Sequence, residues 1–137
     1  MVRSTLALIA HDSKKTEMLS FVKLHRNELG YFRIIATRGT GSLVSAGTGL
    51  TVTVVHSETE GGDREIGDKI IRGEIHGLIF LRDPLISHSS EPDVNNLLRV
   101  CDVYKIPMAT NIATAESILD SLLEDLQIWK REKVTSY

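Results

Sequence analysis

Short, continuous apolar runs alternate along the chain with segments whose apolar residues recur every three or four positions. Thr5-Leu6-Ala7-Leu8-Ile9-Ala10 is the first such run, with no charged residue in it, as expected of a strand buried on both faces. Met18, Phe21, Val22 and His25 then recur at helical spacing, with Lys14, Lys15, Glu17 and Lys23 between them. Phe32 to Ala36 predicts a second strand. Leu50 to Val55 alternates Thr with Val and predicts a third, less buried and nearer a sheet edge. Leu78-Ile79-Phe80-Leu81 predicts a central fourth strand, ended by Pro84, and Ile106 to Thr110 a short fifth. Helices are expected at about Ser42 to Ala46 and Arg64 to Arg72, the latter with Gly73 as its C-cap. Another follows Asp93, where Val94, Leu97, Leu98 and Cys101 share one face. The last follows Thr114 as cap, with Ile118, Leu119, Leu122, Leu123 and Leu126 turned inward.

Strand and helix thus alternate five times. The pattern predicts a single three-layer α/β domain, a five-stranded parallel sheet with helices on both faces. The expected domain covers residues 1–127, and 128–137 read as a charged tail. The 137 residues suffice for one core and are too few for two ordinary ones. With 16 basic and 18 acidic residues, evenly spread, the net charge of −2 gives no reason to expect a nucleic-acid or membrane surface. No apolar run approaches the roughly 20 residues that cross a bilayer. A single cysteine, Cys101, excludes an intrachain disulfide and a cysteine-rich metal site, and its place on an apolar helix face reads as packing. A reducing cytoplasm is the expected compartment.

In a parallel α/β sheet, ligands bind outside the carboxyl ends of the strands. The five loops expected there hold His11-Asp12 with Lys15, Thr37 to Ser42, Ser57 to Asp63, Asp83 to Asp93, and Thr110 to Thr114. The opposite ends are plainer, as in Asn27-Glu28-Leu29-Gly30 and Gly47-Thr48-Gly49. Thr37, Thr40, Ser42 and Ser57 with Lys15 offer hydroxyl, amide and ammonium donors around glycines, a set suited to a phosphate held at helix N-termini. Neither a G-x-x-x-x-G-K-[ST] nor a G-x-G-x-x-G pattern is present, so a nucleotide is not implied. Gly61-Gly62 lets the backbone approach a ligand closely, and Asp63 falls at or just before a helix start, where a carboxylate is ordinarily a cap. Asp12, Asp63, Asp83 and Asp93 place four carboxylates on this end. One of them could act as general base on a C–H made acidic by a carbonyl, and His11 or His88 could donate a hydrogen bond to the developing enediolate. His11, Asp12 and His88 do not form a recognised metal-ligand spacing.

These stretches together resemble the methylglyoxal synthase family over nearly the whole chain. The resemblance is carried by Ala7-Leu8-Ile9-Ala10-His11-Asp12 with Lys15, by Gly61-Gly62-Asp63, and by Phe80-Leu81-Arg82-Asp83-Pro84-Leu85. Glu91-Pro92-Asp93-Val94, Leu98-Arg99-Val100-Cys101-Asp102-Val103 and Ala109-Thr110-Asn111 complete it. It implies a homo-oligomer, usually a hexamer, that converts dihydroxyacetone phosphate to methylglyoxal and inorganic phosphate. Neither metal nor organic cofactor is implied. The aspartate matching Asp63 is the family's proton-abstracting base, and the positions matching His11, Asp83 and Asp93 lie in or beside the active site. Those matching Lys15, Thr37, Thr40 and Ser57 bind the substrate phosphate, with Gly39, Gly41 and Glu58 in the same cradle.

The chain also departs from the family. The usual Thr-Gly-Thr-Thr-Gly reads Thr37-Arg38-Gly39-Thr40-Gly41, so one threonine hydroxyl is lost and a bulky cation enters. Glu58 brings a negative charge beside the expected phosphate unless Arg38 or Arg64 pairs with it. Ser90 stands where the family has its catalytic histidine, and His88 lies two residues earlier. Two readings follow from the sequence: a divergent synthase, or a non-catalytic or regulatory module that binds a phosphorylated or anionic metabolite.

Overall fold

The computed structural model describes residues 4–55, 62–85 and 94–135, the last nine of these by their backbone alone. Five strands, β1 (Thr5–Ala10), β2 (Arg33–Ala36), β3 (Val52–Val54), β4 (Gly77–Leu81) and β5 (Met108–Ala109), form one sheet in the order β3-β2-β1-β4-β5. Every neighbouring pair is parallel.

The period-two geometry of the strands divides the core in two. Leu6, Leu8 and Ala10 of β1, with Ile34, Ile79 and Leu81, face one side. There they meet Met18, Phe21 and Val22 of α1 (Lys15–Leu24), Val44 of α3 (Arg38–Thr48), and Ala115 and Leu119 of α6 (Ile112–Thr135). Ala7 and Ile9, with Ile35, Leu78 and Phe80, face the other. There they meet Ile66 and Ile70 of α4 (Gly62–Ile71) and Leu97 and Cys101 of α5 (Val94–Tyr104). Each large side chain so buried contributes about 1.5–3 kcal/mol. A short helix, α2 (Arg26–Leu29), leads from α1 to β2. The three-layer architecture, the interior place of β1 and β4 and the edge place of β3 are those the sequence predicts.

Several boundaries differ. The helix expected at about Ser42 to Ala46 starts earlier, at Arg38, and runs to Thr48. Two glycines near its start cost about 1 kcal/mol each in a helix, but Gly41 packs where a Cβ would stand 2.8 Å from Val54 Cγ2. Close helix–sheet contact overrides the propensity. The helix ends on Gly49 in the left-handed region, φ 74°.

Helix α4 begins at Gly62, so Asp63 is inside its first turn rather than at its cap. Its end carries Gly73 at φ 76° as expected, with Gly73 N–H donating to Ile70 O at 3.0 Å and Glu74 N–H to Lys69 O at 2.9 Å. The fifth strand is shorter than Ile106 to Thr110, because Pro107 has no N–H to give and contributes only its carbonyl, to Leu78 N–H at 3.0 Å.

The cap of α6 is Asn111, not Thr114: Asn111 Oδ1 accepts Thr114 N–H at 3.1 Å. Both residue types cap well, and the distance decides between them. That helix continues through residues 128–135.

Candidate active site

Strand β1 has β2 on one side and β4 on the other. The chain winds outward from β1 through β2 to β3, then crosses back over the sheet and fills β4 and β5. The switch point, where a sheet of this kind places its ligand crevice, therefore lies between the carboxyl ends of β1 and β4, where the winding direction reverses.

His11 sits at that point. It directly follows β1, donates its backbone N–H to Leu81 O at 3.1 Å, and accepts Asp83 N–H on its ring Nδ1 at 2.8 Å. The ring is 6% exposed and stands edge-on to Phe80, at 5.3 Å between centroids and 87° between planes. Because Nδ1 accepts, the neutral ring carries its proton on Nε2. Nε2 is buried and has no hydrogen-bond partner among the described residues. A buried donor left so costs about 1–3 kcal/mol, a cost that an acceptor on a bound molecule would remove.

Asp83 is held from three directions. Besides its N–H on His11, Ser13 donates its hydroxyl to Asp83 Oδ2 at 2.6 Å and Leu85 donates its N–H to Oδ1 at 2.9 Å. These donors, Ser13 first, hold the carboxyl below the usual aspartate range. Lys15, at the start of α1, lies 2.5 Å from Asp12 Oδ1. That hydrogen bond and the lysine charge lower the Asp12 carboxyl as well.

The start of α3 lies alongside. Thr37 is its N-cap, in extended conformation at φ −65° and ψ 160°, and the side chains of Thr37 and Thr40 are both fully buried. Thr40 Oγ1 accepts Ala10 N–H at 3.1 Å, which fixes the helix start against the end of β1, one residue before His11. The first amide engaged inside the helix is that of Gly41, donating to Thr37 O at 2.7 Å. The amides of Arg38, Gly39 and Thr40 thus precede the intrahelical ladder, and the first turn contains no acidic residue. Both features favour an anion. Gly41 serves through its close packing, since its own N–H is already used.

Asp63, half-buried, is the second residue of α4. That helix connects two parallel strands of one sheet, β3 and β4, so its start lies at the same carboxyl edge. His11, Lys15, Thr37, Gly39, Thr40, Gly41, Asp63 and Asp83 accordingly share one end of the domain. Ser57, Glu58, His88 and Asp93 lie outside the described residues, as does Ser90. Ser13 joins the site through a partner 70 residues away, which leaves no local signal in the sequence. Thr40, expected as a ligand, also serves as a bracket to β1.

A doubly wound parallel sheet with a buried histidine at its switch point and a threonine-lined helix start beside it defines an α/β domain that gathers polar side chains at its carboxyl edge. The family model described as the MGS-like domain matches residues 17–110. The chain is 49% identical over 117 residues to the methylglyoxal synthase of Carboxydothermus hydrogenoformans, covering 85% of this chain and 97% of that one. It is 47% identical over 117 residues to that of Borreliella afzelii, covering 85% and 92%. The crystal structure of methylglyoxal synthase from Elizabethkingia anophelis superposes with a TM-score of 0.82 at 38% identity, over 85% of this chain and 77% of that one. The chain belongs to the methylglyoxal synthase family.

Proposed function

We propose that this chain is a methylglyoxal synthase, a carbon–oxygen lyase that converts dihydroxyacetone phosphate to methylglyoxal and inorganic phosphate. The observation that carries the reading is His11: a buried ring at the switch point, with Nδ1 held by Asp83 and Nε2–H without an acceptor among the described residues. In this reading the phosphate rests on the amides at the start of α3 with Lys15 beside it. The Asp63 carboxylate removes a proton from the hydroxymethyl carbon, which the neighbouring carbonyl makes acidic. The electron pair moves onto the carbonyl oxygen, where a neutral N–H donor such as His11 stabilises the enediolate. Loss of the proton on the remaining hydroxyl then makes that terminus the aldehyde, shifts the enediolate double bond to the phosphate-bearing carbon and breaks its C–O bond, the departing phosphate taking up the hydroxyl proton. The resulting enol takes a proton at its methylene and becomes methylglyoxal. Supporting this reading are the relatives named methylglyoxal synthase and the gathering of these residues at one edge.

The test is methylglyoxal formation from dihydroxyacetone phosphate, with Asp63→Asn as control. Loss of a general base removes about 10²–10⁴-fold in rate, and the thermal midpoint of the variant should stay near that of the parent. Equal turnover in the variant removes Asp63 from the base role. An inactive but well-folded parent would instead favour a module that binds a phosphorylated metabolite. The reading includes a cytoplasmic homo-oligomer, a hexamer by resemblance, which light scattering in solution tests. Among the described residues no helix is long and apolar enough to cross a membrane.

A further inference from the structure

Residue 38 is the first of α3, at the mouth of the anion site. Side chains on a helix lean toward its N-terminus, so a long side chain at this position extends past the helix start, over the amides of residues 38–40. Arg38 is exposed, and among the described residues no carboxylate or carbonyl holds its guanidinium elsewhere.

Among the described residues, the other charged donor of the cradle is committed and one hydroxyl is missing. Lys15 is paired with Asp12 at 2.5 Å, so an arriving anion must compete with a carboxylate for it. Thr40 Oγ1 accepts from Ala10 and keeps only its own O–H to donate, and Gly39 brings no hydroxyl. Among the described residues of the α3 start, a phosphate dianion on these amides therefore meets the uncommitted charge of Arg38. A guanidinium presents paired N–H donors that match two phosphate oxygens, which an ammonium cannot do.

We infer that Arg38 is a phosphate ligand and affinity determinant of this site, closing the cradle from the solvent side and replacing the donor that Gly39 lacks. The inference rests on the reading of the α3 start as the phosphate site. It makes residue 38 control the hold on substrate and on released phosphate alike, because both present the same group. Arg38 then sets product inhibition together with KM.

Calorimetric titration of the full chain with inorganic phosphate tests this without any turnover. Arg38→Gln should weaken phosphate binding about tenfold or more, the loss expected for hydrogen bonds to a charged group. Arg38→Lys should recover part of it, and the thermal midpoint of both variants should be unchanged because the side chain is exposed. The KM for dihydroxyacetone phosphate should rise with the phosphate Kd. Equal or tighter phosphate binding by Arg38→Gln would mean that Arg38 obstructs the cradle, and would overturn the inference. So would a parent that binds no phosphate at millimolar concentration. The two proposals fail separately. Arg38-dependent phosphate binding without methylglyoxal formation sinks only the synthase reading, and methylglyoxal formation with unaltered phosphate binding in Arg38→Gln sinks only the role of Arg38.

Discussion

The ring Nδ1 of His11 accepts the backbone N–H of Asp83 at 2.8 Å, joining the ends of β1 and β4 across the switch point of the sheet. One bond thereby fixes ring orientation and tautomer, and leaves the proton on the nitrogen that faces no protein partner among the described residues.

This relationship separates two effects of substitution at residue 11. An asparagine can place its amide oxygen near the Nδ1 position and keep Asp83 N–H satisfied, but it has no counterpart to Nε2–H. His11→Asn should therefore unfold close to the parent temperature and lose about 10²–10³-fold in kcat, the usual effect of removing one donor to a developing oxyanion. His11→Ala should lose both activity and stability, since it also orphans Asp83 N–H. Nitrogen NMR of the ring should show Nε2 protonated and Nδ1 bare. Protonated Nδ1 at neutral pH, or full activity in His11→Asn, would refute the donor role.

Thr40 joins the proposed anion site to the core. Its side chain is fully buried, and its Oγ1 accepts Ala10 N–H at 3.1 Å. Thr40→Val keeps the shape and leaves that amide unpaired, at a cost of about 1–3 kcal/mol. A domain of this size then loses several degrees in Tm, at roughly 2–8 °C per kcal/mol. Thr40→Ser keeps the oxygen and should lose less. Scanning calorimetry of the pair decides: equal Tm values for Val and Ser would mean that the hydroxyl does not bracket β1.

The fold was legible because its signals are local. Thr5 to Ala10 and Leu78 to Leu81 are apolar without interruption, and such runs belong to strands covered on both faces. The gathering of the described candidate residues on one edge was legible, since parallel topology sends every strand-end loop to the same side. What escaped depends on partners distant in sequence. The start of α3 at Arg38 runs against the propensity of Gly39 and Gly41, and is decided by the closeness of Gly41 to Val54 on β3. The choice of Asn111 over Thr114 as cap turns on geometry between two equally suitable residue types. The Ser13–Asp83 bond spans 70 residues of chain.

That last bond gives Asp83 a measurable pH signature. The Ser13 hydroxyl, and after it the Leu85 N–H, hold the folded carboxyl below the ordinary value of 3.8. A group depressed in the folded state stabilises above its unfolded value and loses that contribution as pH falls through the folded one. The Asp83 contribution is thus complete at neutral pH and disappears only in acid below 3.8. Ser13→Ala should move the Asp83 titration back toward 3.8, seen by carboxyl-carbon NMR. It should also shift the acid limb of the stability curve to higher pH. An unmoved titration in Ser13→Ala would show that the hydroxyl is not what holds Asp83.

Cys101 should be chemically silent in the folded protein. It is 2% exposed on the inner face of α5, in the cluster that holds Ile66, Ile70, Phe80 and Leu97. Burial, followed by the charge of Asp102, pushes its thiol up to about 11. Thiolate is the reactive form, and a rise of two units from the ordinary 9.0 leaves about a hundredfold less of it at pH 8. A thiol reagent at pH 8 should therefore label the native protein at least about a hundredfold more slowly than the chain in denaturant, where one equivalent should react at once. Cys101→Ala should keep full activity, because the thiol lies beneath α5 and not at the carboxyl edge of the sheet. It should nevertheless lower Tm through the small cavity it leaves. Cys101→Ser should cost more than its size change explains, since a hydroxyl in that apolar setting needs a partner. Rapid labelling of the native protein would place the sulfur within reach of solvent and contradict its packing role, and loss of activity in Cys101→Ala would connect α5 to the site in a way the present geometry does not provide.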